Sequence, residues 1–271
     1  MTTAMTVGFV GAGQTGAPMA ERILAAGHRL RLYARRPEVR DRFAGLGAET
    51  VDSVASAAAG AEVVVTSLFD DEQLLEVGTE LVAHQAEGTV LVSHTTGTPG
   101  TIDQLAGLAG PRGVAVLDAP FSGTADVIRE GGLTVYLSGS GTAAERATVV
   151  LKAYAGKVLR TGGRGSALRM KLLNNLLFAA IAQLTLTGAE AGRAMGVDES
   201  AFFEALAVSS GGSTAAAHVG KAGGAQAFAA AVAHFLRKDV AACRAVAAEL
   251  GVELGPLLRA ASDGPISVAT D

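Results

Sequence analysis

The feature that most constrains this chain is a short glycine-rich run near its start, Gly11-Ala-Gly-Gln-Thr-Gly16. It follows an apolar run that predicts a strand over residues 6–10 and precedes a helical pattern over residues 18–26. In a strand–turn–helix each glycine has its own job. Gly11 permits the tight turn, Gly13 lets the backbone approach a diphosphate, and Gly16 lets helix and strand pack closely. Free N–H groups at the helix start then hold the phosphates. The chain has 35 glycines, so the pattern alone says little; the strand before it and the helix after it give it weight. Gly11, Gly13, Gln14, Thr15 and Gly16 are therefore read as a dinucleotide-binding loop.

The rest of the first half repeats that alternation. Strands are predicted over residues 28–33, 62–67, 89–93 and 114–118, with helical patterns between them and a break at Pro37. Such alternation signals βαβ units and a parallel sheet, the α/β class. Residues 133–138 form another strand, 143–154 a helix and 157–160 a last short strand. From 166 to 195 there is no proline, and a helix of thirty residues would span about 45 Å. It is apolar on nearly every face, so burial on nearly every face is expected. Helices follow over 200–208, 226–236 and 237–250, and the glycine-rich stretch 211–224 reads as a mobile loop. Gly162, Gly163 and Gly165 place a boundary near residue 163. A Rossmann domain (1–163) is thus expected to precede an all-α substrate and dimerisation domain (164–271).

Composition closes off other classes. A formal net charge of -4, with arginines scattered, argues against a nucleic-acid surface. Cys243 is the sole cysteine, which excludes an internal disulfide or a cysteine metal cluster and agrees with a reducing, cytoplasmic setting. No metal-ligand spacing occurs among the five histidines. No secretory signal is evident. The apolar stretch around residues 172–182 is interrupted by Asn174, Asn175 and Gln183, and reads as a buried helix of a soluble protein, not a membrane span.

Two further groups carry chemistry. The second strand runs into Arg35-Arg36, where an NAD-specific unit usually has a carboxylate for the ribose hydroxyls. An arginine fork instead binds a 2′-phosphate through charge-assisted bonds, which points to NADP(H). On the long helix, Lys171 and Asn175 are four apart and share a face. Among Leu172, Leu173, Leu176 and Leu177, burial would disfavour the ammonium form of Lys171 and tune it for proton transfer. The bland reading has Lys171 snorkelling from the helix edge and the asparagines satisfied by backbone.

Together these motifs resemble the β-hydroxyacid dehydrogenase family, the 3-hydroxyisobutyrate dehydrogenase-like enzymes, over almost the whole chain. Val7-Gly-Phe-Val-Gly-Ala-Gly-Gln-Thr-Gly-Ala-Pro-Met-Ala20 looks like the family's cofactor signature. Asp118-Ala-Pro-Phe-Ser-Gly-Thr124 resembles its substrate motif, and Gly165-Ser-Ala-Leu-Arg-Met-Lys-Leu-Leu-Asn-Asn175 its catalytic helix. Lys238-Asp239 matches its late lysine–aspartate pair. The resemblance implies Lys171 as acid/base and Asn175 as its substrate-orienting companion. It implies Ser122, Gly123 and Thr124 at the substrate carboxylate, and Thr96 beside the nicotinamide. Leu68 and Phe69 would lie over the adenosine side, and Lys238 would touch the cofactor. Thr96 as a plain cap for the helix after Pro99, and Lys238–Asp239 as a helix-start charge pair, are the bland alternatives.

Departures bear on substrate. Thr124 stands where the family has a second glycine, Phe121 where it has valine, and Ala167 where it has glycine; Asp is usual near Ser93. After Pro256 the family normally has another full helix, whereas this sequence ends soon after. The implied enzyme is an NADP(H)-dependent reductase or dehydrogenase acting on a small β-hydroxy acid and its semialdehyde, a homodimer or homotetramer. An imine reductase of the same architecture is the alternative, although those enzymes often place Asp or Tyr where Lys171 stands. A catalytically idle NADP(H) sensor is the third reading.

Overall fold

The computed structural model describes residues 4–268. The first half runs β1 (Thr6–Val10), α1 (Gly16–Ala25), β2 (Arg29–Tyr33), α2 (Pro37–Gly45), β3 (Glu49–Val51), α3 (Val54–Ala58), β4 (Val63–Thr66), α4 (Asp71–His84), β5 (Val90–Ser93), α5 (Pro99–Ala109) and β6 (Ala115–Asp118). The strands form one sheet in the order β3-β2-β1-β4-β5-β6. Every pairing is parallel. Parallel sheets are buried on both faces, and the side chains follow suit. Val63 and Val65 of β4 enter one apolar cluster with α1, while Val64 enters the opposite one with α3, α4 and α5. The β-branched run Val63-Val64-Val65-Thr66 suits such a two-sided core, which explains why it lacks polar alternation.

A second sheet follows: β7 (Phe121–Ser122), α6 (Ala125–Arg129), β8 (Leu133–Ser138), α7 (Gly141–Leu151) and β9 (Ala155–Gly162). β7 pairs antiparallel with β8, and β8 parallel with β9. The remaining elements are helices: α8 (Ser166–Ala194), α9 (Glu199–Val208), α10 (Thr214–Lys221), α11 (Ala225–Glu249) and α12 (Gly255–Ser262). The chain is therefore α/β with a Rossmann-type N-terminal part and an all-helical C-terminal part.

Three details differ from the sequence-based expectation. The predicted loop over 211–224 contains α10, which starts where Ser213 Oγ accepts the Ala216 N–H at 3.0 Å. The two helices predicted over 226–250 are one, because Arg237, Lys238 and Asp239 all lie within a single helix. The long helix α8 is not buried all round. Leu172, Leu176, Ala179 and Leu186 lie in the helical core, whereas Met170, Leu173, Leu177 and Leu184 are 40%, 44%, 50% and 60% exposed. Within one chain only one side of α8 finds partners. By length and composition alone α8 could also cross a membrane, but its buried face is the core of the helical part.

Two compact units divide after Lys171, one ending there and the other beginning at Leu172, so the division falls inside α8. In the second unit, buried Gln183 braces the tail: its Oε1 accepts the Ile266 N–H at 2.9 Å and its Nε2 donates to the Ile266 carbonyl at 2.7 Å. Leucine at 183 would leave both backbone groups buried without partners. Gln183→Leu should lower stability by about 1–3 kcal/mol, read as a lower urea midpoint with unchanged dinucleotide affinity.

Candidate functional site

In a parallel sheet all carboxyl ends lie along one edge, and a crevice opens there where the strand order reverses. Here the reversal lies between β1 and β4, both paired in parallel with neighbours on each side. The residues singled out in the sequence follow the carboxyl ends one after another. The glycine loop follows β1, Arg35–Arg36 follow β2, Leu68–Phe69 follow β4, Thr96 follows β5 and Ser122–Thr124 come just after β6.

The turn after β1 is backbone packed on backbone. Gly11 has φ +104°, and a Cβ there would lie 2.2 Å from the Ser67 carbonyl oxygen. A Cβ on Gly16 would lie 1.9 Å from the Gly11 oxygen. Nothing approaches within 4 Å of a Cβ on Gly13, so the backbone is open on that side. Helix α1 has no side-chain cap and no acidic residue in its first turn, leaving its N–H groups for an anion. Thr15 Oγ1 lies 3.4 Å from Ser67 Oγ, and Gln14 is exposed. A dinucleotide diphosphate fits this cradle.

Arg35 and Arg36 are exposed. Arg36 sits at the N-cap of α2 with its Nε 3.7 Å from Glu38 Oε1, while Arg35 has no carboxylate partner among the described residues. Arg40 braces this turn by donating to the Ala34 carbonyl at 2.9 Å. Leu68 is half-buried, and Phe69 is 81% exposed beside the glycine loop's strand neighbour.

Thr96 is half-buried and does not cap the next helix. Thr98 occupies the N-cap of α5, and its N–H donates to both Asp71 carboxylate oxygens at 3.2 and 3.0 Å. Asp71, missed in the sequence, thus fixes the loop that carries Thr96. Behind it lies a buried polar pair. His94, fully buried, donates through Nδ1 to the Ala119 carbonyl and accepts the Tyr154 hydroxyl at Nε2, 2.7 Å away. Burial holds its pKa down to about 4, so the ring is neutral, and burial also raises the Tyr154 hydroxyl far above its ordinary value. This pair ties the loop after β5 to the start of the Ser122 segment.

Ser122 is half-buried on β7. Gly123 has φ +142°, and a Cβ there would lie 2.8 Å from a Leu133 methyl, so no other residue fits without strain. Thr124 is the N-cap of α6, its hydroxyl accepting the Val127 N–H at 3.5 Å. On α8, Lys171 and Asn175 are both half-buried. Asn175 Nδ2 donates to Asp239 Oδ2 at 2.9 Å, and its Oδ1 accepts from Asn174 at 3.2 Å. Lys238 is exposed and Asp239 half-buried in the middle of α11, so the pair is not a helix-start feature. The partnership of Asp239 with Asn175 spans 64 residues, and only the Lys238-Asp239 dipeptide hinted at it.

This arrangement defines a dinucleotide-binding oxidoreductase with a helical C-terminal part. Residues 6–163 match the NAD-binding domain of 6-phosphogluconate dehydrogenase, and residues 165–263 the NAD-binding domain of NADP-dependent 3-hydroxyisobutyrate dehydrogenase. The chain is 31% identical to a 3-hydroxyisobutyrate dehydrogenase of Pseudomonas aeruginosa over 212 residues, 77% of this chain and 71% of the relative. An NAD-dependent L-serine dehydrogenase of the same organism is also 31% identical, over 219 residues, with the same coverage of 77% and 71%. Among solved structures, Mycobacterium tuberculosis 3-hydroxyisobutyrate dehydrogenase with L-serine superposes with a TM-score of 0.85 at 24% identity, over 96% of this chain and 92% of that one. The fold is also that of an imine reductase from Pseudomonas sp., with a TM-score of 0.66 at 19% identity over 96% and 91% of the two chains. The chain belongs to the β-hydroxyacid dehydrogenase family.

The buried histidine makes stability depend on pH. Unfolded, His94 takes up a proton near pH 6.5; folded, only near 4. Between these values the unfolded state binds more protons, so stability present above pH 6.5 is lost as pH falls toward 4. The loss attributable to this ring is on the order of 3 kcal/mol. Thermal melts of the wild type and His94→Gln between pH 7.5 and 4.5 should show a steeper fall for the wild type.

Proposed function

We propose that this protein is an NADP(H)-dependent oxidoreductase that interconverts a small β-hydroxy acid and its semialdehyde or keto acid. The observation that carries this reading is the pairing on α8: Lys171, and one turn further on Asn175, its amide held by Asp239. A bound nicotinamide dinucleotide supplies or accepts the hydride. In reduction, Lys171 Nζ gives a proton to the oxygen of the carbonyl as that oxygen gains charge, and in oxidation it takes the proton back. Asn175 directs this oxygen by hydrogen bonding, and Asp239 keeps its amide from rotating. Ser122, Gly123 and Thr124 hold the substrate carboxylate. The cradle formed by Gly11, Gly13, Gln14, Thr15 and Gly16 holds the diphosphate, with Leu68 and Phe69 along the adenosine, Thr96 beside the nicotinamide and Lys238 as a further cofactor contact.

The preference for NADP(H) rests on Arg35 and Arg36, exposed at the end of β2 where a carboxylate would serve NAD. In this reading residues 1–163 are the dinucleotide-binding domain, and residues 164–271 are the substrate and dimerisation domain. The stripe Met170, Leu173, Leu177 and Leu184 recurs along one side of α8 and supports a homodimer or homotetramer. A buried lone Cys243, its thiol pushed up by burial, fits a soluble cytoplasmic enzyme with no disulfide chemistry.

One observation favours imine reduction as a second reading. Thr124, which caps α6 where the family has a second glycine, and Phe121, where it has valine, alter the segment that would meet a carboxylate. Lys171 opposes that reading, since imine reductases often place Asp or Tyr at that position.

Turnover of NADPH with glyoxylate, succinic, tartronate and methylmalonate semialdehydes and a cyclic imine tests the proposal directly. At least one semialdehyde should react, and Lys171→Ala should lower its kcat by about 10²–10⁴-fold. Unchanged turnover in Lys171→Ala, or reaction with the imine alone, overturns it. Arg35→Ala should reduce kcat/KM for NADPH by roughly 10–100-fold and leave NADH within a factor of about two, the size of one charge-assisted bond. Sedimentation as a stable monomer at micromolar concentration would overturn the assembly.

A further inference from the structure

The N-termini of α3, α9 and α10 are held by local side chains: Ser53, Asp198 and Ser213 each accept N–H groups two or three residues onward. Helix α8 is held differently. Its first turn is capped by Asp118, at the end of β6, from 47 and 50 residues away. Asp118 Oδ1 accepts the Gly165 N–H at 2.8 Å, and Oδ2 accepts the Leu168 N–H at 2.9 Å. Ser138 on β8 donates its hydroxyl to Oδ1 and accepts the Asp118 N–H at 3.1 Å. The carboxylate is fully buried and satisfied by three donors.

The geometry points to Asp118 as a positioning residue for Lys171. Lys171 follows Leu168 by three residues, less than one helical turn beyond the last capped N–H. Helix ends fray and rotate easily where their first N–H groups are satisfied only by water. Two bonds from one rigid carboxylate, anchored at the buried end of β6, remove that freedom and fix the rotation of the first turn about the helix axis. The same residue begins the segment that reaches Ser122 four residues later. Asp118 therefore sets the spacing between the group that moves the proton and the group that holds the substrate. A neutral side chain cannot replace it: an asparagine presents an NH₂ to one of the two N–H groups, turning an attraction into a repulsion. A buried carboxylate also suits the positive end of the helix dipole, so its charge is matched where it lies.

This inference rests on Lys171 being the acid/base, and the test separates the two. With the semialdehyde that turns over fastest, Asp118→Asn should lower kcat by about 10²-fold, the size expected of a catalytic group displaced by about 1 Å. The KM for NADPH should stay within a factor of about two, because the glycine loop is untouched. The solvent deuterium isotope effect on kcat should rise, since proton delivery by a displaced lysine becomes slower than the other steps. Ser138→Ala, a small change within a strand, removes one of the two donors on Oδ1 and so loosens the carboxylate, and should show the same signature with a drop of about threefold to tenfold. It decides the matter if Asp118→Asn does not fold. A lower melting temperature with wild-type kcat and isotope effect per NADPH-binding site means that Asp118 only stabilises the fold, and overturns the inference. Lys171→Ala measured beside them isolates the parent reading: if it remains active that reading fails, whereas an inactive Lys171→Ala with wild-type Asp118 and Ser138 variants sinks the positioning role alone.

Discussion

Parallel pairing of β1 with β2 on one side and β4 on the other is the constraint from which the rest of the first unit follows. It sends the chain outward to β3, brings it back across, and leaves the ends of β1 and β4 side by side with their connections leading in opposite directions. Only there can backbone be left open to a ligand without orphaning a buried group, because the loops diverge. The close approach of Gly16 to the Gly11 carbonyl presses α1 onto that opening. Every other feature of the sheet's upper edge is a loop held at a fixed height against this junction.

Those loops are secured by directional polar contacts in addition to apolar packing. Asp71 grips Thr98, His94 bridges Ala119 and Tyr154, and Asp118 joins Ser138 to the start of α8. Each contact joins segments 20 or more residues apart. Apolar side chains would stabilise the same region with less directional control, since dispersion contacts tolerate sliding and hydrogen bonds do not. The upper edge therefore behaves as a set of cross-braced loops, which suits chemistry that depends on placement within fractions of an ångström.

Much of this was legible in the residues, and the exceptions share a cause. The strand Thr6–Val10 and the start of α8 at Ser166 could be read directly, because β-branched runs and a proline-free apolar stretch are local signals. Alanine-rich α10 was hidden between glycines, and its only start signal was Ser213. The charged triplet Arg237-Lys238-Asp239 looked like a break and lies instead inside an unbroken helix. The glycine loop, Ser122, Lys171 and Asn175 were visible as motifs. Their supports were not: Asp118, Asp71 and Tyr154 act through partners tens of residues away, and nothing in a linear pattern announces a pairing across that distance. Asp239 was visible only as half of a dipeptide whose use was unknown.

Helix α8 belongs to both compact units, since the division falls after Lys171 while the helix continues to Ala194. The boundary between the units is therefore a peptide bond within α8. Recombination between relatives cannot treat the two parts as separable cassettes. A junction at the glycine cluster 162–165 would import a foreign first turn to sit on the native Asp118, and a junction after Lys171 would keep that turn but graft Asn175 from another parent. Inheritance of Lys171 and of Asn175 is thus decided by a cut only a few residues wide.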